Sequence, residues 1–290
     1  MARLSVTEYP SFVSIDAGGT RIARYNHVGS WKPYVWPLMG PCGNVLRGAG
    51  SDHPHQCGLF LAYGGHDDGP TNIFSDWDEP PYGPCGKMLH QGFDLLAGGD
   101  GRARIVQRLL YVDGEGAPIL TETRDLRFFA LAGGECLIDW RTTVPEPSEP
   151  GGGPFAISAR VCDALRARDG SSRNGEGKWP LIDGGGVMAS ATGQTSRGER
   201  FAGERWIDYS GTCSAGPQGL ALFDHPDNAG YPGEAGASGY GPILLSHHHP
   251  GADGGAEVAT FRFGIYVHRG DARSGAVAER YERFCAEETA

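Results

Sequence analysis

Two histidines flank a proline in the run Asp52-His53-Pro54-His55-Gln56-Cys57-Gly58-Leu59, the densest polar constellation of the chain. Imidazole gives and takes protons near neutral pH and is the commonest metal ligand, so such a pair suits acid/base catalysis or coordination. The plain alternative is structural, with both rings on backbone carbonyls and packed against Trp36 or Trp77. Proline prevents a comfortable helix here, so the two rings are expected on an ordered loop. Cys57 reads as a small packed side chain rather than a nucleophile.

Two later segments add histidines: Lys87-Met88-Leu89-His90-Gln91-Gly92 and Phe223-Asp224-His225-Pro226-Asp227-Asn228. If loops distant in sequence gather at one end of a sandwich, His53, His55, His90 and His225 would line one pocket with Asp52, Asp224 and Asn228. The competing reading of Asp224-His225-Pro226 is an Asx turn that ends a strand. His247-His248-His249 precedes Pro250 and a Gly-rich turn and reads as a solvated loop. Tyr34, Asn72, Trp77, Arg124, Arg160 and Asn228 complete the candidate binding residues. An arginine fork at Arg124 or Arg160 could meet a carboxylate or a sugar hydroxyl, or could be one half of a cross-strand ion pair such as Glu122 with Arg160.

These residues need a scaffold, and the pattern supplies strands. Ile105, Gln107, Leu109 and Tyr111 alternate with a second set until Asp113-Gly114-Glu115-Gly116 breaks the run. Pro118–Phe129 and Cys136–Thr143 alternate in the same way, which gives an antiparallel meander. Phe155–Cys162, Gln218–Phe223 and Val258–His268 add strands. Val277, Tyr281, Phe284 and Cys285 mark the buried side of one short closing helix, expected across a sheet edge or end. The segments 145–154 and 229–241, rich in Gly, Pro and acidic residues, read as long loops. The expected fold is all-β, a large antiparallel β-sandwich formed by a single domain over residues 1–290.

Composition narrows the functions. The chain has 290 residues and a formal charge of −10 with no Lys/Arg cluster, which disfavours nucleic acid as a partner. No segment approaches ~18 uninterrupted apolar residues and the first residues lack a signal-peptide core, so no membrane association is expected. Seven widely spaced cysteines without a C-x-x-C pair suggest reduced thiols and a cytoplasmic setting.

The ordered motifs RYNH, KPYVWPLMGP, DHPHQCGL, TNIFSDW, ETRDLRFF, ERWIDYSG, LFDHPDN and FRFGIYVHRGD resemble, over nearly the whole chain, the uncharacterised PmoA-like family. That family carries the label of a methane oxygenase subunit, a membrane protein; the label does not suit a chain without an apolar span. The resemblance implies a supersandwich similar to galactose-mutarotase-like proteins and a substrate of sugar character. It places Asp52, His53, His55, Gly58, Asn72, Trp77, His90, Asp224, His225 and Asn228 at motif positions.

The functional expectation is an enzyme acting on a sugar, glycoside or sugar-like natural product. In it His53 or His55 removes a proton next to a carbonyl and His90 or His225 returns one, as isomerisation, epimerisation or β-elimination requires. Asp52 and Asp224 would orient the rings, and Arg124 or Arg160 would hold the oxyanion. No cofactor is expected. Two alternatives stay open: a divalent metal held by His53, His55 and His90, or a non-catalytic carbohydrate-binding protein. A homo-oligomer is left open as well.

Overall fold

Strict alternation of apolar residues lets each strand bury one face, and two sheets then close on each other. The structure is a computed structural model that describes residues 2–49, 53–64, 71–74, 84–145, 153–167, 185–196, 203–249 and 258–286. In chain order the strands are β1 (Leu4–Glu8), β2 (Phe12–Ala17), β3 (Thr20–Asn26), β4 (Tyr34–Gly40), β5 (Gly43–Asn44) and β6 (Leu59–Tyr63). Then come β7 (Lys87–Gly98), β8 (Arg102–Val112), β9 (Pro118–Ala130), β10 (Cys136–Pro145), β11 (Phe155–Arg160) and β12 (Val187–Ser190). The last are β13 (Thr195–Ser196), β14 (Trp206–Cys213), β15 (Gly216–Asp224), β16 (Glu234–Ala237), β17 (Pro242–His247) and β18 (Val258–Arg269).

The first sheet runs β1-β2-β3-β4-β6-β11-β17-β16, with β5 paired to β4; the second runs β13-β12-β14-β15-β18-β10-β9-β8-β7. All pairings within the two sheets are antiparallel. The expected meander is β8-β9-β10, extended by β7. The all-β sandwich of the sequence reading is what forms. One part of the supposed loop 229–241 differs: Glu234–Ala237 is an edge strand on β17. Its sequence EAGA has too little side-chain contrast to show alternation.

The core lies between the sheets and is formed by residues such as Ile105, Leu126, Phe128, Trp140, Ile157, Leu245 and Ile265, all buried. Each contributes about 1.5–3 kcal/mol through removal from water. The helix α1 (Val277–Ala286) covers the outer face of the second sheet rather than an edge or end. Its Val277, Tyr281 and Phe284 pack on Leu137, Trp206, Phe223 and Tyr266 in a second apolar cluster.

The core also holds a polar network. Glu122 and Arg124, two apart on β9, point inward on one face and form a two-pronged pair, with Nε and Nη2 each donating at 2.7 Å. Tyr111 and Thr142 donate to the same carboxylate at 2.6 and 3.0 Å, and Arg124 Nη1 donates to the Tyr25 hydroxyl at 3.2 Å. Tyr25 in turn donates to Gln107. Burial pushes the Tyr25 phenol up to about 12.

His268 is buried on the outer side of the second sheet, its Nε2 at 2.7 Å from Asp208 Oδ2 and its Nδ1 at 3.2 Å from the Arg269 carbonyl. Burial opposes a charge on this ring, but Asp208 and then the Arg269 carbonyl outweigh it and raise the pKa. A raised native pKa means that the pair's stabilisation is complete below the unfolded value, about 6.5, and is lost as pH rises through the native one. His268→Gln is therefore expected to cost about 2 kcal/mol at pH 6. Urea unfolding at a series of pH values should show the gap to wild type shrinking toward alkaline pH. A gap that stays constant would show that the ring carries no charge in the fold.

Candidate functional site

The loop 53–58 crosses the outer face of the first sheet just before β6. It opens with a turn in which Gln56 N–H donates to the His53 carbonyl at 3.1 Å, with Pro54 at the second position that proline favours. Gly58 N–H donates to the Arg47 carbonyl at 2.8 Å and Arg160 N–H to the Gly58 carbonyl at 2.9 Å, so both ends of the loop are pinned. Gly58 has φ +68, and a Cβ there would stand 2.2 Å from the Val35 carbonyl oxygen, so only glycine fits.

Beneath this loop, strand alternation decides what faces outward. On β11, Ile157 and Ala159 enter the core while Ser158 and Arg160 face the loop; on β17, Ile243 and Leu245 enter the core while Pro242 and Leu244 face outward. The result is a cavity of about 340 Å³ whose polar lining includes His53, His55, Gln56, Ser158, Glu234 and Tyr240. That volume lies within the range of small-molecule sites, roughly 300–1,000 Å³.

The two imidazoles meet edge to face, 5.7 Å between centroids. His53 stacks on Tyr240 at 5.0 Å and His55 lies 5.8 Å from Phe74. The buried Arg160 guanidinium sits 5.5 Å from the Tyr240 ring centre and donates from Nη1 to the His53 carbonyl at 3.4 Å. Gln56 Nε2 donates to the Tyr240 hydroxyl at 3.3 Å, while its buried Oε1 has no donor among the described residues. A buried acceptor left so costs about 1–3 kcal/mol and suits a bound water or ligand hydroxyl. Lys32 Nζ donates to the Phe74 carbonyl at 2.8 Å from above the Phe60 ring, which fixes the aromatic wall.

The other predicted residues do different work. Tyr34 shares the outer face, opposite Phe60 in register, with its phenol pushed up by burial and then by the adjacent Cys57 thiol. Asn72 is buried and accepts from the Phe74 N–H at 2.9 Å, so it shapes the loop and does not face the cavity. Arg124 is the partner of Glu122 inside the core, so the expected pairing of Glu122 with Arg160 is corrected to Glu122 with Arg124.

His90 lies on β7, 4.5 Å from the His27 ring, with Nδ1 at 2.7 Å from Gln107 Nε2. Burial and the facing His27 push its pKa down. His225 packs edge-on to Phe284 beneath α1, with its Nε2 at 2.9 Å from Arg262 Nη1; burial and then Arg262 lower its pKa. Asp224 and Asn228 brace the turn around His225. Asp224 ends β15 and accepts backbone N–H bonds, but from the adjacent His225 and from Gly233; the expected Asx turn is corrected, because Pro226, two residues on, has no N–H to give. Asp52 and Trp77 lie outside the described residues.

The expectation of four histidines in one pocket is thus corrected: the cavity unites His53 and His55, while His90 and His225 belong to other surroundings. Among the described residues no three His, Cys, Asp or Glu side chains gather as metal ligands, so His53, His55 and His90 do not form a coordinating trio. The run 247–249 is corrected as well, for His247 and His249 are buried. Glu234 and Tyr240 were not singled out from the sequence. Their Gly-rich surroundings hid them, and only the pairing of β16 with β17 brings them to the histidine loop.

Fold and site together define a two-sheet antiparallel β-sandwich with a histidine-lined cavity on an outer face. The chain belongs to a family of unknown function, DUF6807, whose profile matches residues 12–282. No curated protein matches it. No helix among the described residues is long and apolar enough to cross a membrane, and none of the seven cysteines is in a disulfide.

Proposed function

We propose that the protein is an enzyme acting on a sugar, glycoside or sugar-like natural product by histidine acid/base chemistry, as isomerase, epimerase or β-eliminating lyase. The observation that carries this reading is the meeting of His53, His55, Glu234 and Tyr240 around one cavity with the buried Arg160 behind them. One imidazole removes the proton on carbon next to a carbonyl. The second imidazole, or Glu234 across the cavity, returns a proton to the product or to the departing oxygen. The faces of Tyr240 and Phe74 suit the apolar face of a sugar ring, and Gln56 and Ser158 suit its hydroxyls.

The motif resemblance to the PmoA-like family, and through it to galactose-mutarotase-like supersandwiches, points to the same substrate character. The cysteines without disulfides fit work in the cytoplasm.

The test is a panel of aldoses, ketoses, uronates and aryl glycosides incubated in D2O and followed by proton NMR. Wild type is expected to exchange or eliminate the proton next to the carbonyl of at least one member. His53→Ala and His55→Ala should each slow that turnover about 10²-fold while leaving the unfolding midpoint within a few degrees. Turnover that persists undiminished in both variants, or no turnover of any member, sinks the proposal.

A further inference from the structure

A second and larger cavity, about 880 Å³, lies on the outer face of the other sheet beside α1. Strand register builds it rung by rung. Arg102 of β8 stands opposite Phe129 of β9, Phe129 opposite Leu137 of β10, and Leu137 opposite Tyr266 of β18. On the next rung Ala97, Arg104 and Arg127 stand side by side. Arg280 of α1 closes the far end, its guanidinium 5.3 Å from the Tyr266 ring centre.

Four arginines therefore rim a floor of Phe129, Leu131 and Leu137 in a chain whose formal charge is −10. Arg104 and Arg127 face each other across the ladder, an arrangement that costs stability unless a counter-charge bridges them. Asp125 is that bridge: Arg104 donates two bonds to it at 2.9 Å and Arg127 Nε one at 3.0 Å. Among the described residues Arg102 and Arg280 are left without a carboxylate in ion-pair reach, and among those lining the cavity the one acid is Asp100. Guanidinium forks recognise carboxylates in a two-pronged way, and an aromatic and aliphatic floor takes a hydrocarbon or aryl body.

We propose that this groove binds a small amphipathic anion, a carboxylate on an apolar body, with the head on the rim arginines and the body along Phe129 and Leu137. The site stands apart from the histidine cavity, which opens on the first sheet. Because Arg102 and Leu95 are exposed at its rim, both can be changed without disturbing the core.

The probe is monomeric decanoate, titrated calorimetrically into the full chain, with decylammonium and 1-decanol as controls. Decanoate is expected to bind at one site and tighter than either control. Arg102→Glu and Leu95→Asp should each weaken it at least about tenfold, whereas His55→Ala should bind it as wild type does. The proposal is overturned if decanoate fails to bind, if decylammonium binds equally well, or if both rim variants bind like wild type. Binding to phosphatidylglycerol vesicles without binding of monomeric decanoate would also overturn it, in favour of a lipid surface.

Discussion

Glu122→Gln is expected to lower unfolding stability by about 3–5 kcal/mol, because it leaves the Arg124 guanidinium buried without its counter-charge. The carboxylate accepts two bonds from Arg124, one from Tyr111 and one from Thr142, and both members of the pair are fully buried between the sheets. A glutamine amide in the same place turns one acceptor into a donor, which then confronts the Arg124, Tyr111 or Thr142 donors it replaced an acceptor for. At roughly 2–4 °C per kcal/mol for chains of this size, the midpoint should fall by about 6–20 °C in a calorimetric scan. The double change Glu122→Leu with Arg124→Met removes both charges and should recover most of the loss, since apolar replacement of a buried pair is often neutral. A single variant within about 1 kcal/mol of wild type would mean that Arg124 finds water or another acceptor, and the network would lose its structural role.

The position of this pair was legible and was misread. Leu120, Glu122, Arg124, Leu126 and Phe128 share one face of β9, so the charges had to go where the leucines went. Two opposite charges spaced by two on a core-facing side can satisfy each other locally, and they do. The long strands β8, β9, β10 and β18 were equally legible, because each runs ten residues or more, long enough for a period of two to show over part of it. By contrast β5, β13 and β16 are two to four residues long, too short for any period to show.

The histidine cavity was half legible. The residue types in Asp52–Leu59 declared a site, but its opposite wall comes from Glu234 and Tyr240, almost two hundred residues away. That meeting depends on the order β6-β11-β17-β16, in which chain neighbours are not sheet neighbours. No local pattern encodes such an order. The late DHP motif misled for the opposite reason: its histidine and aspartate are chemically eligible, yet backbone N–H groups and neighbouring side chains use up the acceptors.

That distinction gives the second large effect. Asp224 Oδ1 accepts from His225 N–H at 2.9 Å and Asn228 Nδ2 at 2.7 Å and lies 2.8 Å from His247 Nε2, while Oδ2 accepts from Gly233 N–H at 2.8 Å. Asp224→Asn keeps the shape but aims an amide NH2 at donors whichever way it is turned. It also removes the buried charge beside His247, for a combined cost of about 3–5 kcal/mol in urea unfolding. Gly233, bonded to Asp224 and adjacent to Glu234, links this network to the cavity. A Cβ there would stand 2.4 Å from the Ser246 carbonyl oxygen, so the backbone is pressed onto β17 just before Glu234. Loosening that anchor should raise KM for a cavity ligand by several-fold and leave kcat nearly unchanged, well below the lowered midpoint. If Asp224 instead served the chemistry by orienting a reacting imidazole, kcat would fall about 10²-fold with unfolding unchanged. Measured side by side on one variant, unfolding stability and the split between KM and kcat separate a residue that holds the wall of the site from one that takes part in the reaction.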